Sequence, residues 1–185
     1  LIKSDTNRVE ITGKNTAYIV VKNKNGDLKI RLSVEKRFSG NRTKVSVFYK
    51  NVYSIISHEG ANVFSKDTII QADLKIKANS GSRQNMIVKL NTLEATAAAG
   101  AKINISGEAK YQNLSAATGS EIFASKLANE EANVISTTGA LIDVSSTKDL
   151  ELNSKIGGII NVHTKTDKII EKISVGGTVN YLYED

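Results

Sequence analysis

Two histidines, one adjacent pair of glutamates and a column of amides and rings are the residues of this chain whose types could do chemistry. The column reads Phe64, Asn85, Asn104, Phe123, Asp143, Asn161 and Asn180, one residue from each of seven successive segments. Amides donate and accept hydrogen bonds and aromatic rings stack on sugar faces, so such a set could hold a glycan. The same amides could instead bond to one another from segment to segment, as stacked Asn side chains do in cross-β ladders. Catalysis has less to work with. Glycoside hydrolysis needs two carboxylates facing one bond, and elimination needs a base with cationic support. Glu130 and Glu131 are neighbours, and neighbours on a strand point to opposite faces, so they read as a solvated turn. The remaining acids of the repeats scatter over different columns, with Asp143 the only one in the outward set. His58 and His163 belong to the first and sixth segments, about five rungs or roughly 24 Å apart, and read as surface residues. The sequence therefore assigns no catalytic residue, no metal ligands and no cofactor. Cysteine is absent, which excludes disulfides, thiolate metal sites and cysteine nucleophiles. Each glycine is followed by strand and not by a helix N-terminus, so no phosphate-binding loop is present either.

What would position the column is a repeat. Its clearest copy is LEATAAAGAKINISG at 93–107, and its glycines recur at Gly60, Gly81, Gly100, Gly119, Gly139, Gly157 and Gly176. The spacings are 21, 19, 19, 20, 18 and 19 residues. Three before the glycine stand Ser57, Ala78, Ala97, Ala116, Ser136, Ser154 and Ile173; one after it, only Ala, Ser or Gly. Three after it stand Val63, Gln84, Ile103, Ile122, Ile142, Ile160 and Val179. Apolar residues two apart, many of them β-branched, are the strand signal. A unit that cannot bury its apolar side alone does so by stacking on its copies. The expectation is an all-β, single-stranded parallel β-helix of about seven coils of ~19 residues, with a perimeter of roughly 60 Å and three short sides. The column four after the glycine falls between two inward columns and faces outward. Gln84 replaces an aliphatic residue and predicts a bulged or looser corner in the second unit. SKLANEEAN at 125–133 is the one helical candidate, with a loop as its alternative. Tyr181 and Tyr183 are expected to cover the last coil.

Residues 1–51 lack the repeat and are read as a separate section before the solenoid of residues 52–185. RVEI, AYIVVK, LKIRLS and KVSVFY alternate like strands, and Asn25-Gly26 suits a tight hairpin turn between the second and third. Antiparallel hairpins here would cap the first coil and hide its edge. Residues 1–50 carry a net charge of +8 and the remainder −2, for +6 overall. Lys22, Lys24, Lys29, Arg31, Lys36, Arg37, Arg42 and Lys44 fall on strands and turns of this section. They carry few aromatics and no nucleic-acid motif, so nucleic acid is not the expected partner; keeping edge strands from aggregating is a sufficient role for them.

The NGDLKI stretch, KVSVFYKNV and the glycines about 19 residues apart together resemble the head GIN domain family, putative auto-transporter adhesins of the bacterial cell envelope. The resemblance spans nearly the whole chain and contains no catalytic motif. It implies a right-handed β-helix, export to the periplasm or cell surface with a signal peptide upstream, and no established activity. Ser80 and Ala99 stand before repeat glycines where relatives often read Ser-Gly-Ser-Gly.

Three functions fit this reading. The first is a non-enzymatic envelope or surface module contacting glycan or a surface protein through flat faces. The second is a polysaccharide lyase or hydrolase on the same architecture. The third is an assembly piece that forms oligomers through its solenoid ends. No apolar run reaches membrane-spanning length.

Overall fold

The computed structural model describes residues 1–33 and 43–183. They fall into two compact units, Leu1–Lys50 and Asn51–Asp185. Lys36, Arg37 and Arg42 of the basic section lie outside the described residues.

In the first unit, β2 (Arg8–Gly13) pairs antiparallel with β5 (Thr43–Tyr49), and β1 (Ile2–Lys3) adds to the other edge of β5 in parallel. The Arg8 guanidinium lies 3.6 Å from the Phe48 ring centroid and 2.9 Å from the Glu10 carboxylate. Between these strands, β3 (Ile19–Lys24) and β4 (Asp27–Leu32) form a two-stranded sheet of their own. They turn at Asn25 and Gly26, with φ of 53° and 86°, the double positive φ of a type I′ turn.

The second unit is a β-solenoid of about seven turns. Its strands are β6 (Ser54–Ser57), β7 (Asn62–Phe64), β8 (Ile69–Ile70), β9 (Asp73–Ala78), β10 (Arg83–Ala97), β11 (Lys102–Ala117), β12 (Glu121–Ala128), β13 (Glu131–Thr137), β14 (Leu141–Val144), β15 (Asp149–Lys155), β16 (Ile159–Val162), β17 (Lys168–Ser174) and β18 (Thr178–Tyr181). Every pairing among them is parallel, coil upon coil. Ile103, Ile122, Ile142 and Ile160 are consecutive partners in one ladder, each with 0% exposure, as the alternation predicts.

The corner is built by two residues, not by glycine alone. At Ala99 and Gly100 φ is 52° and 69°, and the Ala101 N–H closes the turn on the Ala98 carbonyl at 3.2 Å. The Gly100 N–H then donates at 3.1 Å to the Thr118 carbonyl of the next coil. The two positive φ values recur at all seven repeat glycines, even where the residue before the glycine is Ile156 or Val175, and the bond to the next coil recurs from Gly60 to Gly157. Small residues flank the corner because coils touch there. A Cβ on Gly158 would lie 2.4 Å from the Ser136 carbonyl oxygen.

The ladders also show where units of unequal length keep register. Asn62 pairs with Arg83 but Ile69 with Val88, so the longer first unit gives up its extra length between those two points. Asn104 pairs with Phe123, while Ser106 pairs with Lys126 across a bulge that lengthens the unit. Glu121 meets Leu141 but Glu131 meets Asp149, so the next unit shortens between them. Every gain or loss falls on the side that follows the outward column. The two strands flanking the corner stay aligned throughout.

Two local expectations are overturned. Gln84 sits in an unbroken ladder between Val63 and Ile103 with 0% exposure, so the second unit has no bulged corner. Its amide instead donates to Ser57 Oγ at 2.9 Å and to the Lys77 carbonyl at 2.7 Å, which makes a polar side chain admissible in the core. Residues 125–133 are not helical: β12 continues to Ala128 and β13 starts at Glu131. Leu127, Ala132 and Val134 supply the alternating inward side chains, and pairing with the adjacent coil overrides the weak helical propensity. At the last coil Tyr181 stands over Val162 in register, and its ring meets Tyr183 edge-on at 5.7 Å.

Candidate functional site

The solenoid brings all seven residues of the outward column into one line. Phe64 pairs with Asn85, Asn85 with Asn104, Asn104 with Phe123, Phe123 with Asp143, Asp143 with Asn161 and Asn161 with Asn180. Asn104 donates to Asn85 Oδ1 at 2.8 Å, Asn180 to Asn161 Oδ1 at 2.9 Å and Asn161 to Asp143 Oδ1 at 2.8 Å. A structural amide ladder is therefore present, interrupted at Phe123. The Lys102 ammonium lies 4.8 Å from the centre of that ring and 2.6 Å from the Glu121 carboxylate, both on the next coil. Phe64 is half exposed, and Asn85 and Asn180 are exposed.

The two histidines differ in exposure, His163 keeping 30% of its side chain accessible. His58 is exposed, but the His163 Nε2 is buried and lies 3.6 Å from Asp143 Oδ2. His163 follows Val162, whose partner Val144 follows Asp143, so the ring borders the outward column from the adjacent coil. Among the described residues, no three His, Asp or Glu side chains gather as metal ligands would.

A second set of outward residues lies on the strands that precede the corner. Asp73, Thr92, Tyr111, Glu131, Asp149 and Lys168 form one column, and Lys75, Glu94, Asn113, Asn133, Glu151 and Ile170 the next. Over the middle coils this face is a shallow open groove of about 640 Å³, lined by Tyr111, Asn113, Glu131, Asn133, Asp149 and Glu151 among others. Cross-coil ion pairs border it: Lys75 with Glu94 at 2.5 Å, Lys168 with Asp149 at 3.6 Å and Lys172 with Glu151 at 2.8 Å. At its corner, the Lys148 ammonium 2.8 Å from the Glu130 carboxylate holds that carboxyl below its ordinary range and is itself raised. Lys110 is raised as well, first by its hydrogen bond to Tyr111, whose ring centre lies 4.9 Å from the ammonium.

Sequence reasoning missed this face. Counting forward from each glycine scatters the acids, because units of unequal length intervene. Counting eight residues back from the next glycine puts Glu131 and Asp149 together, and the ladder pairs them directly.

Residues 1–166 match the family described as putative auto-transporter adhesin, head GIN domain. The chain belongs to the head GIN domain family. No curated protein matches it. Several solved structures share the fold of this head GIN domain protein. A putative adhesin from Bacteroides fragilis superposes with a TM-score of 0.88 at 16% identity, covering 97% of this chain and 85% of that one. A putative adhesin from Parabacteroides merdae gives 0.73 at 21% identity over 97% and 86%. A putative lipid binding protein from Parabacteroides distasonis gives 0.70 at 16% identity over the same shares. Among the described residues, no helix is long and apolar enough to cross a membrane.

Proposed function

We propose that this head GIN domain protein is a non-enzymatic, exported module of the cell envelope, in the periplasm or at the cell surface. In this reading it holds an extended glycan or a surface protein against the flat faces of its solenoid. The observation that carries the proposal is the open groove with Tyr111, Asn113, Glu131, Asn133, Asp149 and Glu151 along it. Small-molecule sites are enclosed and mostly apolar. A shallow polar trough crossing several coils suits a long ligand instead. Coils about 4.8 Å apart repeat at a spacing close to that of sugar units in a chain. Tyr111 offers a ring face, and Asn113 and Asn133 offer amides that can donate and accept. The column from Phe64 to Asn180 is a second face of the same chemistry. Family membership supports the surface role. The absence of catalysis is supported by the groove's carboxylates: Asp149 and Glu151 are half exposed and ion-paired, unlike the dry pocket that keeps a general acid protonated.

The test is a glycan array, with pull-down of envelope proteins, beside a reducing-sugar assay on acidic polysaccharides. The expected result is retention without product. Tyr111→Ala with Asn133→Ala should abolish retention if the groove is used, and Phe64→Ala with Phe123→Ala if the column is used. Released sugar would refute the non-enzymatic reading, and binding undiminished by either pair in folded protein would remove both faces.

A further inference from the structure

The β3–β4 hairpin sorts its residues by face. Its cross-strand partners are Ile19 with Leu32, Val21 with Ile30 and Asn23 with Leu28; the alternate partners are Val20 with Arg31, Lys22 with Lys29 and Lys24 with Asp27. Partners share a face of a ribbon, and successive residues alternate between faces. One face is therefore Ile19, Val21, Leu28, Ile30 and Leu32 with a single amide. The other carries Val20 with Lys22, Lys24, Lys29 and Arg31 against one acid, Asp27, which lies 3.3 Å from Lys29. Among the described residues neither strand pairs with any other sheet. Val21, Ile30 and Leu32 are 36%, 37% and 44% exposed.

Both features disfavour a bare ribbon in water. A lone two-stranded hairpin is marginally stable. Like charges directly opposed, as at Lys22 and Lys29, repel. An anionic phase that also accepts apolar side chains resolves both. We propose that this hairpin docks on an anionic lipid surface. Its aliphatic face enters the headgroup–acyl boundary while the lysines and Arg31 meet the lipid phosphates. Interfacial elements sink about 5–10 Å, so a ribbon one strand thick keeps its opposite face at headgroup depth. The long basic side chains reach phosphates from there while their stems stay in apolar surroundings. A soluble polyanion, such as a sulfated or phosphate-bearing polymer, would satisfy the cations but leave the aliphatic face in water. The exposed Val21, Ile30 and Leu32 of that face thus favour lipid.

The experiment uses the whole chain and vesicles of phosphatidylcholine and phosphatidylglycerol mixed two to one, against pure phosphatidylcholine. Co-sedimentation is expected with the anionic vesicles only, weakening steeply with salt because surface attraction is screened. Lys22→Glu with Lys29→Glu should lower partitioning at least tenfold, since each cation near such a surface contributes about a fivefold factor. Val21→Ser with Ile30→Ser should lower it comparably. The chain has no tryptophan, so Ile30→Trp places a single reporter on the aliphatic face without removing its apolar character. Its emission should shift to the blue on anionic vesicles. No binding to the anionic vesicles, or no blue shift, overturns the proposal. Binding that heparin competes away and that Val21→Ser with Ile30→Ser leaves intact overturns it in favour of a polyanion. The groove and column variants above should not change vesicle binding, which keeps this result separate from the glycan test.

Discussion

Replacing Ile122 with Ala tests the whole register at one position. Ile122 lies between Ile103 and Ile142 in the central ladder, and all three have 0% exposure. Truncation removes three carbons, worth about 2.4 kcal/mol in transfer at ~0.8 kcal/mol each. A void that persists adds about 24 cal/mol per Å³, so three missing methylene-sized groups bring the loss to roughly 4 kcal/mol. Full collapse would leave the lower figure, but the coils above and below are held by continuous backbone ladders and cannot close in freely. The expected loss is therefore nearer the higher value. The assay is urea unfolding followed by far-ultraviolet circular dichroism, with Ile87→Ala as a control, since Ile87 is 44% exposed. The control should lose less than about 1 kcal/mol. An Ile122→Ala loss no greater than that of the control would refute the register, because a one-residue slip exchanges inward and outward faces.

Gly158→Ala should destabilise by more than the ordinary glycine-to-alanine change, because its Cβ would meet the Ser136 carbonyl oxygen at 2.4 Å; thermal unfolding that matches wild type would contradict that contact. Ile156→Asn should stabilise by about 1 kcal/mol, since Ile156 holds a φ of 49° that asparagine tolerates better, and its 55% exposure means little burial is lost; a lower melting temperature would count against it. The Glu130 carboxyl is held below its ordinary value near 4.5 by Lys148. What this pair contributes is therefore present above that value and lost as pH falls through the lowered one. A carbon-detected titration should show Glu130 moving upward in Lys148→Met, and an unmoved midpoint would dismiss the pair.

Much of the fold could be read because the repeat fixes columns. Glycine and a small neighbour mark each corner, and two-residue alternation after them identifies the inward isoleucines. The outward column was legible for the same reason, being only four residues from the corner. What lay further from that landmark was lost. Glu131 and Asp149 escaped because unit length varies between the glycine and their strand. The buried Gln84 was misread because its partners lie across the corner from it, Ser57 Oγ on the preceding coil and the Lys77 carbonyl on the strand before Gly81. The left-handed residue before each glycine leaves no mark in composition, since Glu59, Ser80, Ala99, Thr118, Thr138, Ile156 and Val175 share no chemistry. The coil-to-coil bond at the corner constrains the backbone and is indifferent to the side chain.

Confining length changes to one side of the coil has a consequence for how the protein can vary. The distance between equivalent contacts on either face is set by the rung, about 4.8 Å, and not by how many residues separate one copy from the next. Short and long repeats therefore present the same ruler to a ligand. An excision from one corner to the equivalent corner of the next coil, such as Ala99 to Thr118, would shorten that ruler by one mark. The surviving marks would stay aligned. Gain or loss of whole coils would thus change the reach of the surface while keeping its spacing, and an insertion at the bulge beside Ser125 would alter neither.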